Sequence, residues 1–216
     1  RMLALKTDAG SGALEQMVLA EYCAPHFAAH VPKLNRGLRA KLDTLMEALN
    51  DFGAVQHFLS RRTNQRTDEY GGSLENRARL LKELIEDTKD AVGDTCAVPV
   101  RIAMHEFQGS AGLETAEVED AIAMMAELPD LWDLSLSDWS KDSQTSRFSE
   151  EGFQEPYIKG VKKLTPKPVV GVGRYTSPDT MVRVIRQGIM DMIGAARPSI
   201  ADPFLPNKIR DGREDE

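Results

Sequence analysis

Two short runs late in the chain hold residue types that could meet an anion. Val169-Val170-Gly171-Val172-Gly173-Arg174-Tyr175 and, about twenty residues on, Asp191-Met192-Ile193-Gly194-Ala195-Ala196-Arg197-Pro198 each pass from an apolar stretch into small residues and then an arginine. Small residues let a backbone approach a phosphate closely, free amides point at it, and a guanidinium adds a bidentate contact. A lone G-x-G-R is more often a plain strand-to-helix turn. Two such turns on consecutive apolar runs outline a phosphate cradle.

The elements that must position these turns can be read from spacing and punctuation. Ser73 can cap a helix over Leu74–Val92 that Gly93 closes, since serine offers an oxygen to free amides and glycine tolerates a left-handed exit. Ala97–Met104 reads as a buried strand, Thr115 as the cap of a helix reaching Leu128, and Leu131–Ser137 as the next strand. A polar loop over 138–152 leads to a helix from about Pro156 to Leu164 and to the strand Pro168–Val172. Ser177-Pro178 sets a cap before a proline at the first helical position, so a helix runs to Gln187 with Gly188 beyond it. Asp191–Ala195 is the last strand and Pro203–Gly212 the last helix.

Four strands, each parted from the next by a helix, imply a parallel sheet, either open and doubly wound or closed as a barrel. A dinucleotide fold would carry G-x-G-x-x-G after its first strand; here Gly171-Val172-Gly173 lies on a late strand and continues Arg174-Tyr175-Thr176, so that fingerprint fails. Phosphate held at the last two strands is the habit of the eight-stranded barrel. The expected fold is therefore α/β, a partial (β/α)8 TIM barrel of about four parallel strands over residues 56–216. Residues 1–55 form a separate, mostly helical segment, with amphipathic runs over 13–23 and 38–52 and a break between Pro25 and Pro32.

Composition narrows the function classes. A formal net charge of -7 with 41% hydrophobic residues suits a soluble protein with small-molecule ligands and argues against nucleic-acid binding, which needs a basic face. The cysteines Cys23 and Cys96 are far apart and signal neither a disulfide framework nor a metal site. His26, His30, His57 and His105 have no metal-ligand pattern, and Arg61, Arg62 and Arg66 read as a solvated or ion-paired loop. No apolar run is long enough to span a membrane and no signal peptide is apparent, so the chain reads as cytoplasmic.

Phe58-Leu59-Ser60, the run Thr67-Asp68-Glu69-Tyr70-Gly71-Gly72-Ser73-Leu74-Glu75-Asn76-Arg77-Ala78-Arg79, Val172-Gly173-Arg174-Tyr175 and Gly194-Ala195-Ala196-Arg197-Pro198 with Ala201-Asp202-Pro203 closely resemble the old yellow enzyme family of FMN barrels. Within it, the tail from Arg197 to Pro206 is most similar to the trimethylamine, dimethylamine and histamine dehydrogenases. The resemblance covers about residues 56–216 and is not seen over residues 1–55.

Carried over position by position, the resemblance implies that Arg101 lies beside the pyrimidine edge of the flavin, where a fixed cation stabilises negative charge on the reduced ring. It implies that Gly173 and Arg174, with Ala196 and Arg197, hold the FMN phosphate. Trp139 and Asp142, in W-x-x-D spacing before Ser146-Arg147-Phe148, match a tryptophan of the amine dehydrogenases' substrate bowl and an aspartate of their active-site Tyr-His-Asp group. An indole face attracts a cationic amine, and a carboxylate can orient a histidine or hold substrate charge. Without the resemblance, Arg101 reads as an ion-paired strand-end arginine, and Trp139 and Asp142 as a surface tryptophan and a solvated carboxylate.

The chain also departs from the family. The Tyr-Gly-Ala-His pattern expected before Phe58 is replaced by Asp51-Phe52-Gly53-Ala54-Val55, no Asn-Arg-Phe run of a first strand is present, and the family's iron-sulfur cysteines are not expected in this chain. The implied function is an FMN-dependent, amine dehydrogenase-like oxidoreductase acting on a small amine. The alternatives are a non-catalytic half-barrel that keeps at most FMN or phosphate binding, and a phosphate-binding module of unrelated role. A half-barrel has two open strand edges and two apolar faces, so either the N-terminal helices cover it or two copies pair as a homodimer.

Overall fold

The computed structural model describes residues 54–136, 148–213 and 215. The readings of Cys23, of the pair His26 and His30, of the N-terminal helical runs and of Trp139 and Asp142 lie outside the described residues. By density of contacts the chain divides into two compact units, one ending at Cys96 and the other spanning Ala97–Glu216.

In the first unit, α1 (Ala54–Leu59) and α2 (Leu74–Val92) flank a glycine turn. Ser73 caps α2 as expected, accepting from the Asn76 amide at 3.3 Å, and Gly93 closes the helix at a φ of +55°. A side chain at Gly71 would run into the Arg66 carbonyl, so only glycine fits there. Buried Arg77 donates to the carbonyls of Gly72 and Leu59, and Asn64 donates to those of Phe58 and Tyr70 at 2.6 and 2.7 Å. The long run Thr67–Arg79 is thus a structural staple between two helices. Arg66 pairs with Asp68 and lies over the Phe58 ring, in keeping with an ion-paired loop.

The second unit is one parallel sheet of β1 (Pro99–Ala103), β2 (Leu131–Ser135), β3 (Val169–Gly171) and β4 (Met192–Ile193), in the spatial order β1-β2-β3-β4. The connections carry α3 (Thr115–Met124), α4 (Glu155–Ile158) and α5 (Pro178–Arg186), and α6 (Ala196–Ala201) and α7 (Leu205–Asp211) follow β4. Right-handed crossovers that always step the same way put every connecting helix on one face. A doubly wound sheet would reverse its order, so the sequential order is that of a barrel segment, with β1 and β4 at its edges among the described residues.

The face with Val100, Ile102, Trp132, Leu134 and Val169 is buried, together with Val118, Ala121 and Ile122 of α3 and Val184 of α5. Gly171 is small because a Cβ there would come within 2.8 Å of Ile158 and Met190. The alternate positions, Arg101, Asp133, Val170 and Met192, are register partners along one row of the other face. That face is not uniformly apolar, contrary to expectation, because two of its positions hold opposite charges that offset one another. Two further corrections are local. Thr115 is the first residue of α3 rather than its cap, and Glu114 stands at the cap position without a side-chain bond. The helix expected over 156–164 breaks into α4 and the short 3-10 turn Val161–Lys163.

The N-terminal ends of the strands are fastened by one repeated device. Asp130 donates its amide to the Val98 carbonyl and accepts the Val98 amide on its carboxylate at 2.8 Å; Asp191 does the same to Val169, also at 2.8 Å. Lys167 and Lys162 supply the countercharges.

Candidate functional site

The ladder continues past β4, with the Gly194 amide donating to the Gly171 carbonyl at 2.9 Å. The turn at Gly173 and Arg174 and the turn at Ala196 and Arg197 therefore leave the sheet from adjacent C-terminal strand ends, as the phosphate reading requires.

The first turn is built tightly. Tyr175 is buried and folds back so that a Cβ at Gly173 would meet its ring at 3.1 Å, which gives that glycine a packing reason within the chain. Arg174 takes a left-handed φ of +59°, which costs a non-glycine residue roughly 1 kcal/mol or more. Its guanidinium donates to the Ser149 carbonyl, and the Gly152 amide donates to the Gly173 carbonyl at 2.8 Å. A guanidinium has several N–H donors, so this bond leaves others to face an anion. The Tyr175 hydroxyl is buried without a hydrogen-bond partner; burial and then the charge of Glu155 push its pKa well above the usual tyrosine range, and it stays protonated.

The start of α5, just beyond, already holds an anion from the chain. Glu151 Oε1 accepts from the amides of Thr176 and Ser177, each at 2.7 Å, and Oε2 accepts from the Thr180 hydroxyl at 3.1 Å. At the second turn the cap residue of α6 is Ala195, whose side chain offers no oxygen. Pro198 sits in the first turn of α6, where its missing N–H costs nothing. The start of α5 is thus filled by a carboxylate from within the chain, whereas α6 has no capping oxygen from its own cap residue.

Arg101 lies two strands away from β3, on the open face. Its Nη1 stands 3.4 Å from Asp133 Oδ2, its register partner on β2, and both side chains keep about a third of their surface or less exposed, 30% and 27%. Asp133 Oδ1 is buried with no partner. Burial raises the Asp133 carboxyl above the ordinary carboxylate range, and the Arg101 charge opposes that rise. Arg101 is level with Val170, so it stands roughly 10 Å across the sheet and roughly another 10 Å along it from Gly173. A ligand meeting both would be elongated, with an anion at one end, and a phosphorylated flavin fits that description.

The described structure thus places Arg101, Gly173, Arg174, Ala196 and Arg197 at one sheet. Asp133, Tyr175 and Glu151 join them without having been singled out from sequence. Asp133 was legible as a charge at an alternate position of a strand, whereas the partners of Glu151 lie about 25 residues away and leave no local signal. Past β1, His105, Phe107 and Tyr157 form a ring cluster, with centroids 4.5 to 5.5 Å apart. Among the described residues no cluster of His, Cys, Asp and Glu could hold a metal, and no helix is long and apolar enough to cross a membrane.

Residues 50–216 match the NADH:flavin oxidoreductase / NADH oxidase family. A dimethylamine dehydrogenase from Hyphomicrobium sp. (strain x) is 42% identical over 191 residues, covering 85% of this chain and 26% of that protein. That coverage exceeds what residues 56–216 alone can supply, so the likeness reaches upstream of the boundary read from sequence. The solved histamine dehydrogenase from Rhizobium sp. 4-9 superposes with a TM-score of 0.72 at 60% identity, over 76% of this chain and 24% of that one. A 6-hydroxypseudooxynicotine amine oxidase from Pseudomonas geniculata N1 gives 0.70 at 56% identity, over 76% and 25%. The chain spans about a quarter of the length of these relatives.

Proposed function

The chain belongs to the NADH:flavin oxidoreductase / NADH oxidase family, and from that premise we propose that it forms the phosphate end and one wall of an FMN site in an amine-oxidising barrel. The observation that carries this reading is the pair of turns at the adjacent ends of β3 and β4, with Arg101 across the open face of the same sheet. FMN, when bound, supplies an acceptor for the two electrons and the hydrogen lost from a substrate C–H bond.

The chain's own residues have separable tasks in this reading. The amides around Gly173, Arg174, Ala196 and Arg197 bind phosphate, and the two guanidinium groups add charge. Arg101 offers a fixed cation toward the pyrimidine edge of the flavin, held in place by Asp133. Trp139 presents an aromatic face to a cationic amine, and Asp142 orients a proton-carrying group or holds substrate charge. The likeness to amine-oxidising relatives supports an amine as the substrate class. The edge strands β1 and β4 are where further barrel strands or a second copy would pair.

In a second reading the same two turns hold FMN or phosphate without turnover. Spectral titration with FMN, followed by anaerobic addition of histamine or a methylated amine, tests both. A flavin spectrum that amine bleaches supports the oxidoreductase; a spectrum that amine leaves unchanged supports the second reading. A chain that takes up no FMN refutes the site.

A further inference from the structure

The segment 149–152 is bound to the first phosphate turn more densely than chain reversal requires. The Ser149 carbonyl accepts from the Arg174 guanidinium, the Gly152 amide donates to the Gly173 carbonyl at 2.8 Å, and the Glu151 carboxylate receives three donors, from Thr176, Ser177 and Thr180. Two consecutive amides converge on one oxygen of Glu151 at 2.7 Å, the arrangement a phosphate oxygen would otherwise receive. Between these bonds lies Arg174, in a left-handed conformation that a non-glycine residue keeps only where its surroundings over-determine it.

We infer that Glu151 is a positioning residue for the phosphate turn: its carboxylate fills the start of α5, fixes the left-handed turn at Arg174, and so directs an incoming phosphate to the amides of Gly173, Arg174, Ala196 and Arg197. The inference rests on the FMN reading above. Two effects of Glu151 on a phosphate oppose each other. Its negative charge repels a phosphate, while its hydrogen bonds organise the turn that binds one; the short, charge-assisted bonds make organisation the larger effect. The charged groups nearby include Glu155 and Arg183, which pair with each other at 2.6 Å and so add little net field.

The test titrates FMN and riboflavin into the full wild-type chain and into Glu151→Ala and Glu151→Gln, following flavin fluorescence, with amide exchange measured over 172–180. Organisation by Glu151 predicts that Ala lowers FMN affinity about tenfold and leaves riboflavin unchanged, while Gln, which keeps an acceptor oxygen, stays within about threefold of wild type. The Thr176 and Ser177 amides exchange faster in the Ala variant. An equal loss for both flavins, or FMN binding that tightens in the Gln variant, overturns the inference. If the Ala variant does not fold, Thr180→Val, which removes one of the three donors, is expected to lower FMN affinity alone and by less. A wild-type chain that binds neither flavin refutes the FMN reading, and the exchange arm then decides by itself: unchanged protection at Thr176 and Ser177 overturns the role of Glu151.

Discussion

Replacing Asp133 by asparagine separates the two forces that meet at the centre of the open face. The attraction to Arg101 acts at 3.4 Å between side chains about a third exposed, and such a pair is worth about 0.5–1 kcal/mol. Against it stands Asp133 Oδ1, buried without a partner, at a cost of roughly 1–3 kcal/mol. Asparagine keeps the shape and an acceptor for Arg101 and leaves its NH2 in the unpartnered position, but it removes the buried charge, so the variant should be more stable than wild type by about 1 kcal/mol at pH 7. The pH dependence follows from the raised carboxyl pKa, whose first cause is burial. A raised folded pKa means that Asp133 favours the fold fully below the unfolded value of about 3.9, and that this contribution is lost as pH rises through the folded value. Asparagine does not titrate, so its advantage should be present at neutral pH and vanish near pH 3.5. Trp132 is buried on β2, so thermal melts followed by tryptophan fluorescence report on this sheet. The expected difference at pH 7 is about 2–4 °C. A variant that melts below wild type at pH 7 and equals it at pH 3.5 would show that the ion pair dominates, and the desolvation argument would fail.

Substitutions at three other positions address the turns and the strand ends. Arg174→Gly releases the left-handed strain that Arg174→Ala retains, so in urea unfolding the glycine variant should exceed the alanine variant by about 1 kcal/mol; equal stability would mean that the turn relaxes without its arginine. Asp191→Ala removes the acceptor of the Val169 amide and the partner of Lys162, and should cost about 1–2 kcal/mol in the same assay, with Asp191→Asn recovering part of it. Gly194→Ala places a Cβ 2.6 Å from Val172 Cγ1 and should destabilise by about 1–3 kcal/mol; an unchanged melting temperature would show that the two turns are not packed together.

Much of this arrangement could be read from the residues alone, because it rests on local chemistry. Ser73 and Ser177 announce α2 and α5, each by a hydroxyl before a helical run, and both cap as read. The apolar runs locate the strands but overstate their length: Asp191–Ala195 holds a strand of two residues, Met192–Ile193, before Ala196 and Arg197 turn into α6. Thr115 reads as a cap but is the first residue of α3, because a hydroxyl near a helix start looks the same whether it stands before the first turn or within it. Asp133 and Glu151 were missed for a different reason. Their meaning depends on partners that only the sheet register and the packing of 149–152 against 173–180 bring close. Pairing of distant residues is set by tertiary structure, and no local periodicity encodes it.

The two ends of the sheet use their charges in opposite ways. At the N-terminal end, Asp130 and Asp191 are consumed in clamping Val98 and Val169, each with a lysine alongside, and these groups are bound into the fold. At the C-terminal end, Glu151 satisfies α5 internally, while α6 begins at Ala196 without a cap. Of the two turns that leave β3 and β4, the first is tied to residues 149–152, and the second enters α6 from Ala195, which has no side-chain oxygen to cap it. Barrel enzymes divide labour in this direction, stability at the N-terminal end of the strands and ligands at the C-terminal end. Because β3 and β4 are neighbours in a sequential sheet, the division requires no rearrangement of the fold to bring the two turns together.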